Sequence, residues 1–149
     1  MFNRIMKQLS KLGKAMLIPI AATPVAGLLA RLSAADLLNL PVLENAAWVV
    51  FGMMDLLFAV GAVIAYAKAK DKAIPIIGAV ISLSVFKSVL TFMNETINMG
   101  VFAGIVVGVM TAIVYNYSKE WKTPQMFSFF TGEKFVVTLA PLVAVPLGI

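Results

Sequence analysis

The chain has 149 residues, of which 61% are hydrophobic and 13% are charged, with a net charge of +5 at pH 7 and a mean hydropathy of +0.96. So few polar groups do not cover the surface of a soluble globule, and the composition therefore predicts an integral membrane protein. The sequence contains no cysteine and no histidine, which excludes disulfides, thiolate nucleophiles, imidazole bases and the commonest zinc ligands. We therefore expect no metal site and no cofactor. We also expect no nucleic-acid partner, because the basic residues lie beside apolar runs, where they set membrane topology.

The first fourteen residues have the pattern of an amphipathic helix. Apolar residues recur at helical spacing and basic residues occupy positions between them: Phe2, Ile5, Met6, Leu9 and Leu12, with Arg4, Lys7, Lys11 and Lys14. A signal peptide also begins with basic residues, but here no small-residue cleavage site precedes a soluble domain. We predict that residues 1–14 form a helix on the cytoplasmic membrane surface and that residues 15–149 form a transmembrane domain.

Four apolar segments are long enough to cross a bilayer, which takes roughly 20 helical residues. They are residues 15–32, 46–67, 73–93 and 99–117. Pro19 and Pro24 should bend the first, because proline lacks the backbone donor. A fifth segment begins at Phe135, and its 15 residues cover only about 22 Å of a hydrocarbon core of about 30 Å. We predict an all-α integral membrane fold with a surface helix, four full transmembrane helices and a partial fifth.

The distribution of charge predicts the orientation of these segments. Ten of the twelve basic residues flank the same ends: Arg4, Lys7, Lys11, Lys14, Lys68, Lys70, Lys72, Lys119, Lys122 and Lys134. The opposite loops hold Asp36, Glu44 and Glu95, with Arg31 as their single basic residue. Because Lys and Arg are retained on the cytoplasmic side, we predict that the amino terminus, residue 70 and residue 122 are cytoplasmic. Asn39 and Asn94 should then face outward.

A row of small residues lies on one face of the fourth segment. Gly100, Gly104, Gly108 and Ala112 are spaced four apart, and small residues at this spacing let two helix backbones approach closely in lipid. The row therefore predicts a helix-packing face, either within the chain or across a dimer. A phosphate-binding loop would also need a following Lys and Ser or Thr, which are absent.

Three ionisable residues, Asp55, Lys87 and Glu95, lie at or near membrane depth. A charge at mid-bilayer costs about 2.5 to 3.5 kcal/mol, so such residues usually face a cavity or a partner. Asp55 and Lys87 both fall in the middle to outer half of their segments, which makes an ion pair possible. Two interpretations stay open, namely a structural pair with Lys87 extended toward the interface and a role in a substrate path. We expect no catalytic residue, because the three form no nucleophile, base and orienting group.

Three stretches of the sequence resemble a known family. They are LGKAMLIPIAATPVAGLLARL near the start, INMGVFAGIVVGVMTAIVYN in the fourth segment and PQMFSFFTGEKFV before the fifth. In this order they are similar to the membrane IIC domain of phosphotransferase-system sugar permeases, within the glucose, N-acetylglucosamine and maltose branch. The resemblance covers about residues 12–137. It implies a bacterial inner-membrane protein whose family members carry a sugar inward while a partner domain phosphorylates it.

The resemblance also implies that part of the transport machinery is missing. In the family the first five spans form a scaffold and dimer interface, and a later half holds the sugar site with a glutamate and a histidine. This chain has no histidine, no Thr-Glu-Pro sequence, and neither the cysteine of IIB nor the histidine of IIA domains. Residues 132–135 read GEKF where relatives usually have a Gly-Lys-Arg-Phe run.

Two hypotheses for the function follow from this comparison. The first is the amino-terminal scaffold half of a sugar permease, which pairs with a second copy or with a full-length permease. It is not an enzyme by itself, and IIB and IIA act as partners only in the complete permease. The alternative is a small membrane protein that binds and modulates a full-length permease. The residues that bind the sugar stay unknown from the sequence.

Overall fold

The computed structural model describes residues 2–121 and 132–149, and this part of the chain forms seven α-helices. They are α1 (Phe2–Ile20), α2 (Thr23–Ser33), α3 (Pro41–Gly52), α4 (Met54–Tyr66), α5 (Ala73–Met93), α6 (Gly100–Ser118) and α7 (Val136–Gly148), with a 3-10 turn at Gly132–Phe135. Lys122 and most of the PQMFSFFTGEKFV stretch lie outside the described residues. The predicted all-helical fold is confirmed for the described part of the chain.

Three or four stretches of the described chain are long and apolar enough to span a membrane. Phe2–Ser33, Ala73–Met93 and Gly100–Ser118 satisfy both conditions. The bent pair of α3 and α4 makes a fourth if it forms one span. The predicted third and fourth segments agree with α5 and α6 to within a residue at each end. Each is a predominantly apolar run with polar residues at both ends, which is the pattern expected of a helix that crosses lipid.

The first helix does not end where the surface helix was predicted to end. Instead α1 continues through residues 14 and 15, and the interruption lies at residues 21–22. Pro19 belongs to the last turn of α1 and Pro24 to the first turn of α2. Since proline has no N–H to donate, it is tolerated at the start of a helix and disrupts bonding further along. The two prolines thus flank the interruption.

The second predicted segment, residues 46–67, is not one continuous helix, although its two parts together are long and apolar enough for one bent span. The chain forms α3 and α4, which are bent by 41° relative to each other. Met53 separates them, and the N–H of Leu57 bonds back to the Met53 carbonyl at 3.0 Å. Gly52 ends α3, where its low helix propensity favours an interruption. Asp55 follows in the first turn of α4, where a carboxylate complements the positive end of the helix.

Four helices, α4 to α7, surround a common core. Most of its fully buried residues are small, which lets helix backbones approach closely where lipid supplies no hydrophobic driving force: Ala59, Ala62, Ala79, Ala112, Ala140 and Ala144. The larger buried side chains Tyr115, Phe86 and Val63 fill the remaining space. α6 runs parallel to α4, α5 is antiparallel to both, and α1 packs against α4 through Ala15 and Met16.

The segment predicted as a partial fifth span is a packed helix of this bundle. α7 has 13 residues and is therefore about 20 Å long. Val136, Ala140, Ala144 and Gly148 are buried at every fourth position, and α7 packs mainly on α5. At Gly148 an added Cβ would lie 3.0 Å from a methyl carbon of Val89. Small residues therefore set the distance between α5 and α7.

The helices α2 and α3 pack on each other and form a hairpin beyond the two interruptions. Arg31 donates two hydrogen bonds to the Asp36 carboxylate, at 2.8 and 2.7 Å, across the start of the turn. This pairing lowers the pKa of the Asp36 carboxyl. Both side chains are exposed, so the pair contributes little to stability.

Candidate functional site

The glycine row of α6 packs against α4 within the same chain. A Cβ added at Gly104 would overlap the carbonyl oxygen of Asp55 and lie 2.7 Å from its carbonyl carbon. One added at Gly108 would lie 2.8 Å from the Ala62 Cβ and 2.9 Å from the Ala59 Cα. The spacing allowed packing either within the chain or across a dimer. In the structure, Gly104 and Gly108 pack within the chain.

The other two members of the row have different surroundings. Ala112 lies one turn further along α6 and is fully buried in the core shared by α4 to α7. Gly100 starts α6 with a φ of +50°, a conformation that favours glycine. Its nearest neighbour, the Asn98 side-chain oxygen, would be 4.0 Å from an added Cβ. Gly100 therefore serves the turn into α6 and not the close approach of two helices.

Asp55 connects the bend in the second span to α5. Its Oδ1 accepts a hydrogen bond from the Leu56 N–H at 2.7 Å, and its Oδ2 accepts one from Lys87 Nζ at 2.6 Å. The Asp55 side chain is 10% exposed and that of Lys87 is 52% exposed. The ion pair that the sequence allowed is therefore present, between a nearly buried Asp55 side chain and a half-exposed Lys87 side chain.

The position of Asp55 after the bend has a physical reason. The first turn of a helix leaves backbone N–H groups without helical partners, and the Asp55 carboxylate accepts one of them. The same carboxylate gains from the positive end of the α4 dipole. A buried carboxylate without a cation would be costly, and Lys87 supplies the opposite charge. Gly52, three residues before an acidic residue within an apolar run, was the signal that could have indicated this bend.

A polar cleft of about 180 Å³ opens beside this ion pair. We define the polar cleft by its five polar lining residues: Asp55, Lys87, Thr91, Glu95 and Asn98. It lies between the last turns of α5, the turn from α5 to α6 and the start of α6. The structure thus brings together all three ionisable residues that the sequence singled out. At about 30 Å³ per water molecule, the cleft has room for about six.

Comparison with known proteins identifies the family. The family model described as the phosphotransferase system EIIC matches residues 13–149. The chain belongs to the phosphotransferase system EIIC family. This confirms the resemblance seen in the sequence, and it assigns α1 from Gly13 onward, and all the later helices, to the EIIC domain.

Three relatives show which part of an EIIC protein the chain matches. It is 34% identical to the N-acetylglucosamine-specific EIICB component of Bacillus subtilis (strain 168), over 94% of this chain and 31% of the relative. It is 39% identical to the N-acetylglucosamine-specific EIICBA component of Escherichia coli (strain K12), over 85% of this chain and 19% of the relative. It is 32% identical to the glucosamine-specific EIICBA component of Bacillus subtilis (strain 168), over 100% of this chain and 25% of the relative. The chain therefore spans less than a third of each relative, in its amino-terminal part.

A second polar cluster in this EIIC chain lies at the opposite end of α4, and the sequence did not indicate it. The Asn116 side chain donates to the Tyr66 carbonyl at 2.9 Å and accepts from the Lys68 N–H at 2.7 Å. The Tyr66 hydroxyl donates to the Gln8 carbonyl at 2.8 Å, and Lys11 Nζ lies 5.9 Å from the centre of the Tyr66 ring. These contacts join α1, α4 and α6 at the end that carries most of the basic residues.

Proposed function

We propose that this chain is the amino-terminal scaffold half of a phosphotransferase-system sugar permease and that it does not transport sugar by itself. The observation that carries the proposal is the family match over residues 13–149, which corresponds to the amino-terminal part of much longer relatives. The close packing of α4 to α7 through small residues suits a rigid framework. The names of the relatives point to an amino sugar, N-acetylglucosamine or glucosamine.

We further propose the partners that the relatives' composition suggests. Relatives in which EIIC is joined to B, or to B and A, components support IIB and IIA partners in the complete permease. The scaffold half would pair with a second copy or with a full-length permease within the bacterial inner membrane. The alternative, a small protein that only modulates a full-length permease, would have the same fold. The uptake experiment below distinguishes this modulating role from the scaffold role.

Expression of the chain in a strain that lacks glucose-type and amino-sugar permeases should not restore sugar uptake. We expect this result because the chain matches only the amino-terminal part of its relatives, and the family resemblance places the sugar site in a later half. The measurement is the accumulation of labelled N-acetylglucosamine and glucosamine, with the Escherichia coli relative as the positive control. Uptake at a substantial fraction of the control rate would refute the scaffold proposal. Reduced uptake when the chain is added to the intact relative would instead support modulation.

We also propose a cytoplasmic amino terminus. In support, the basic residues Lys11, Lys68 and Lys119 lie at one end of the bundle, around the Asn116 cluster. The turns that contain Asn39 and Asn94 lie at the other end.

Introduced cysteines can test this orientation directly, because the natural chain contains none. Cysteine at position 39 or 94 should react with an impermeant thiol reagent on whole cells, and cysteine at position 70 or 122 should react only after the cells are broken. The reverse pattern would overturn the proposed orientation.

A further inference from the structure

The exposed face of α5 changes from apolar to polar halfway along the helix. In the first half of α5, this face exposes Ile77 and Ile81. In the second half it exposes four polar residues, which we call the α5 polar face: Ser84, Lys87, Ser88 and Thr91. Their spacing places all four on one side of a helix. The α5 polar face lies opposite the buried residues of α5 and borders the polar cleft, which Lys87 and Thr91 also line.

The neighbouring helices expose apolar side chains in the same half of the bundle. There α6 exposes Phe102 and α7 exposes Leu142 and Val145, as expected for helices that contact lipid. Lys87 lies six positions before the last residue of α5, Met93, which is about 9 Å of helix. Its side chain is nevertheless half-exposed. Because ionisable side chains in spanning helices almost always face protein or a water-filled cavity, the α5 polar face is unsuited to lipid.

The hydrogen-bonding groups of the α5 polar face indicate what kind of partner fits it. The Lys87 ammonium has three N–H donors, of which one goes to Asp55. The Ser84 and Thr91 hydroxyls donate to the Val80 and Lys87 carbonyls of α5 itself, at 3.1 and 2.9 Å, so their oxygens can still accept a hydrogen bond. These donors and acceptors form a line along the helix. A second helix with polar side chains matches such a line, because it can form hydrogen bonds at successive turns.

We propose that the α5 polar face is the surface on which the remaining part of the permease docks, through a helix with polar side chains. The identity of this partner rests on the proposed function, whereas the mismatch with lipid rests on the exposed polar residues. The chain spans 31% and 25% of two EIIC relatives, in their amino-terminal part, so these relatives contain further polypeptide. The segment that matches α7 precedes this polypeptide. Since α7 runs along α5 with Gly148 beside Val89, the further polypeptide follows next to the second half of α5.

The test uses the full chain with an affinity tag, co-expressed with the part of the glucosamine-specific Bacillus subtilis relative that follows the matched region. The photo-crosslinking amino acid p-benzoylphenylalanine replaces Ser88 in the α5 polar face or Leu142 on the exposed side of α7. We expect the relative's part to co-purify with the chain and to crosslink from position 88 but not from position 142. Equal crosslinking from both positions, or crosslinking from position 88 only to lipid or to a second copy of the chain, would overturn the proposal. Failure of the membrane-inserted part to co-purify would also overturn it.

Two leucine variants provide a matched comparison. Ser88→Leu removes an exposed hydroxyl from the α5 polar face, and Thr138→Leu removes one from the exposed side of α7. Losing one polar contact between membrane helices should lower the amount of the relative's part that the tagged chain retains by about threefold or more. We expect this loss for Ser88→Leu and no change for Thr138→Leu. Equal retention by the two variants, or a lower thermal unfolding temperature of the Ser88→Leu chain alone, would contradict the assignment.

The proposed function and the docking surface can fail separately. Sugar uptake by the chain alone would refute the scaffold role. Co-purification with crosslinking only from position 142 would leave the scaffold role in place and overturn the assignment of the α5 polar face.

Discussion

Replacing Gly104 with leucine should prevent the chain from forming its α4–α6 contact and should reduce the yield of folded protein severely. A Cβ at this position would overlap the carbonyl oxygen of Asp55 and lie 2.7 Å from the carbonyl carbon. Both are backbone atoms, which cannot rotate away as a side chain can. The two helices must therefore separate and lose dispersion contacts along their length. We expect a loss of more than about 3 kcal/mol of stability, at the upper end for overpacked sites.

Alanine makes the comparison sharper, because its effect should have opposite signs at two glycines. In a helix, alanine is favoured over glycine by about 1 kcal/mol. Gly27 lies in α2 with nothing within 4 Å of an added Cβ, so Gly27→Ala should be neutral or stabilising, while Gly104→Ala should destabilise. The measurements are thermal unfolding by circular dichroism and gel filtration in detergent. If both alanine variants gained stability, the close approach at Gly104 would be refuted.

The long apolar segments could be predicted from the sequence because lipid imposes a simple requirement on each of them. The ends of α5 and α6 agree with the predicted segments, since a long and predominantly apolar run defines a spanning helix without help from its neighbours. The bend at Met53 could not be predicted in the same way. Gly52 and Asp55 mark where the segment is interrupted, but the contacts of Asp55 with Lys87 on α5 and with Gly104 on α6 cannot be read from residue spacing along one segment.

The sequence predicted individual residues of the candidate site but not how they come together. Asp55, Lys87 and Glu95 were selected because a charge in lipid is costly. Their positions along the predicted spans also showed that Asp55 and Lys87 are at similar depth and can form an ion pair. The polar cleft depends on the path of the turn from α5 to α6, which the residue pattern does not determine. Asn116 was missed because an amide at the end of a span is typical of the membrane interface, and its two bonds to α4 and the following turn are visible only in three dimensions.

Lys87→Met should destabilise the chain substantially, and a second substitution, Asp55→Asn, should restore much of the loss. The single variant leaves a carboxylate that is 10% exposed without its cation. Removing one partner of a buried pair costs about 3 to 5 kcal/mol, and we expect about 3 because Lys87 is half-exposed. In the double variant, asparagine removes the unpaired charge and its side-chain oxygen can still accept the hydrogen bond from the Leu56 N–H.

The two variants together distinguish a structural ion pair from a lysine that only extends toward the membrane interface. If Lys87 interacted only with the headgroup region, Lys87→Met would be neutral or stabilising, since methionine suits lipid better than lysine does. Lys70→Met, at an exposed lysine in the turn from α4 to α5, serves as the control for loss of charge and should have little effect. The coupling free energy between positions 55 and 87, measured by unfolding of the wild type, both single variants and the double, gives the contribution of the pair. A coupling near zero would mean that the Asp55 carboxylate is held in place by the α4 terminus alone.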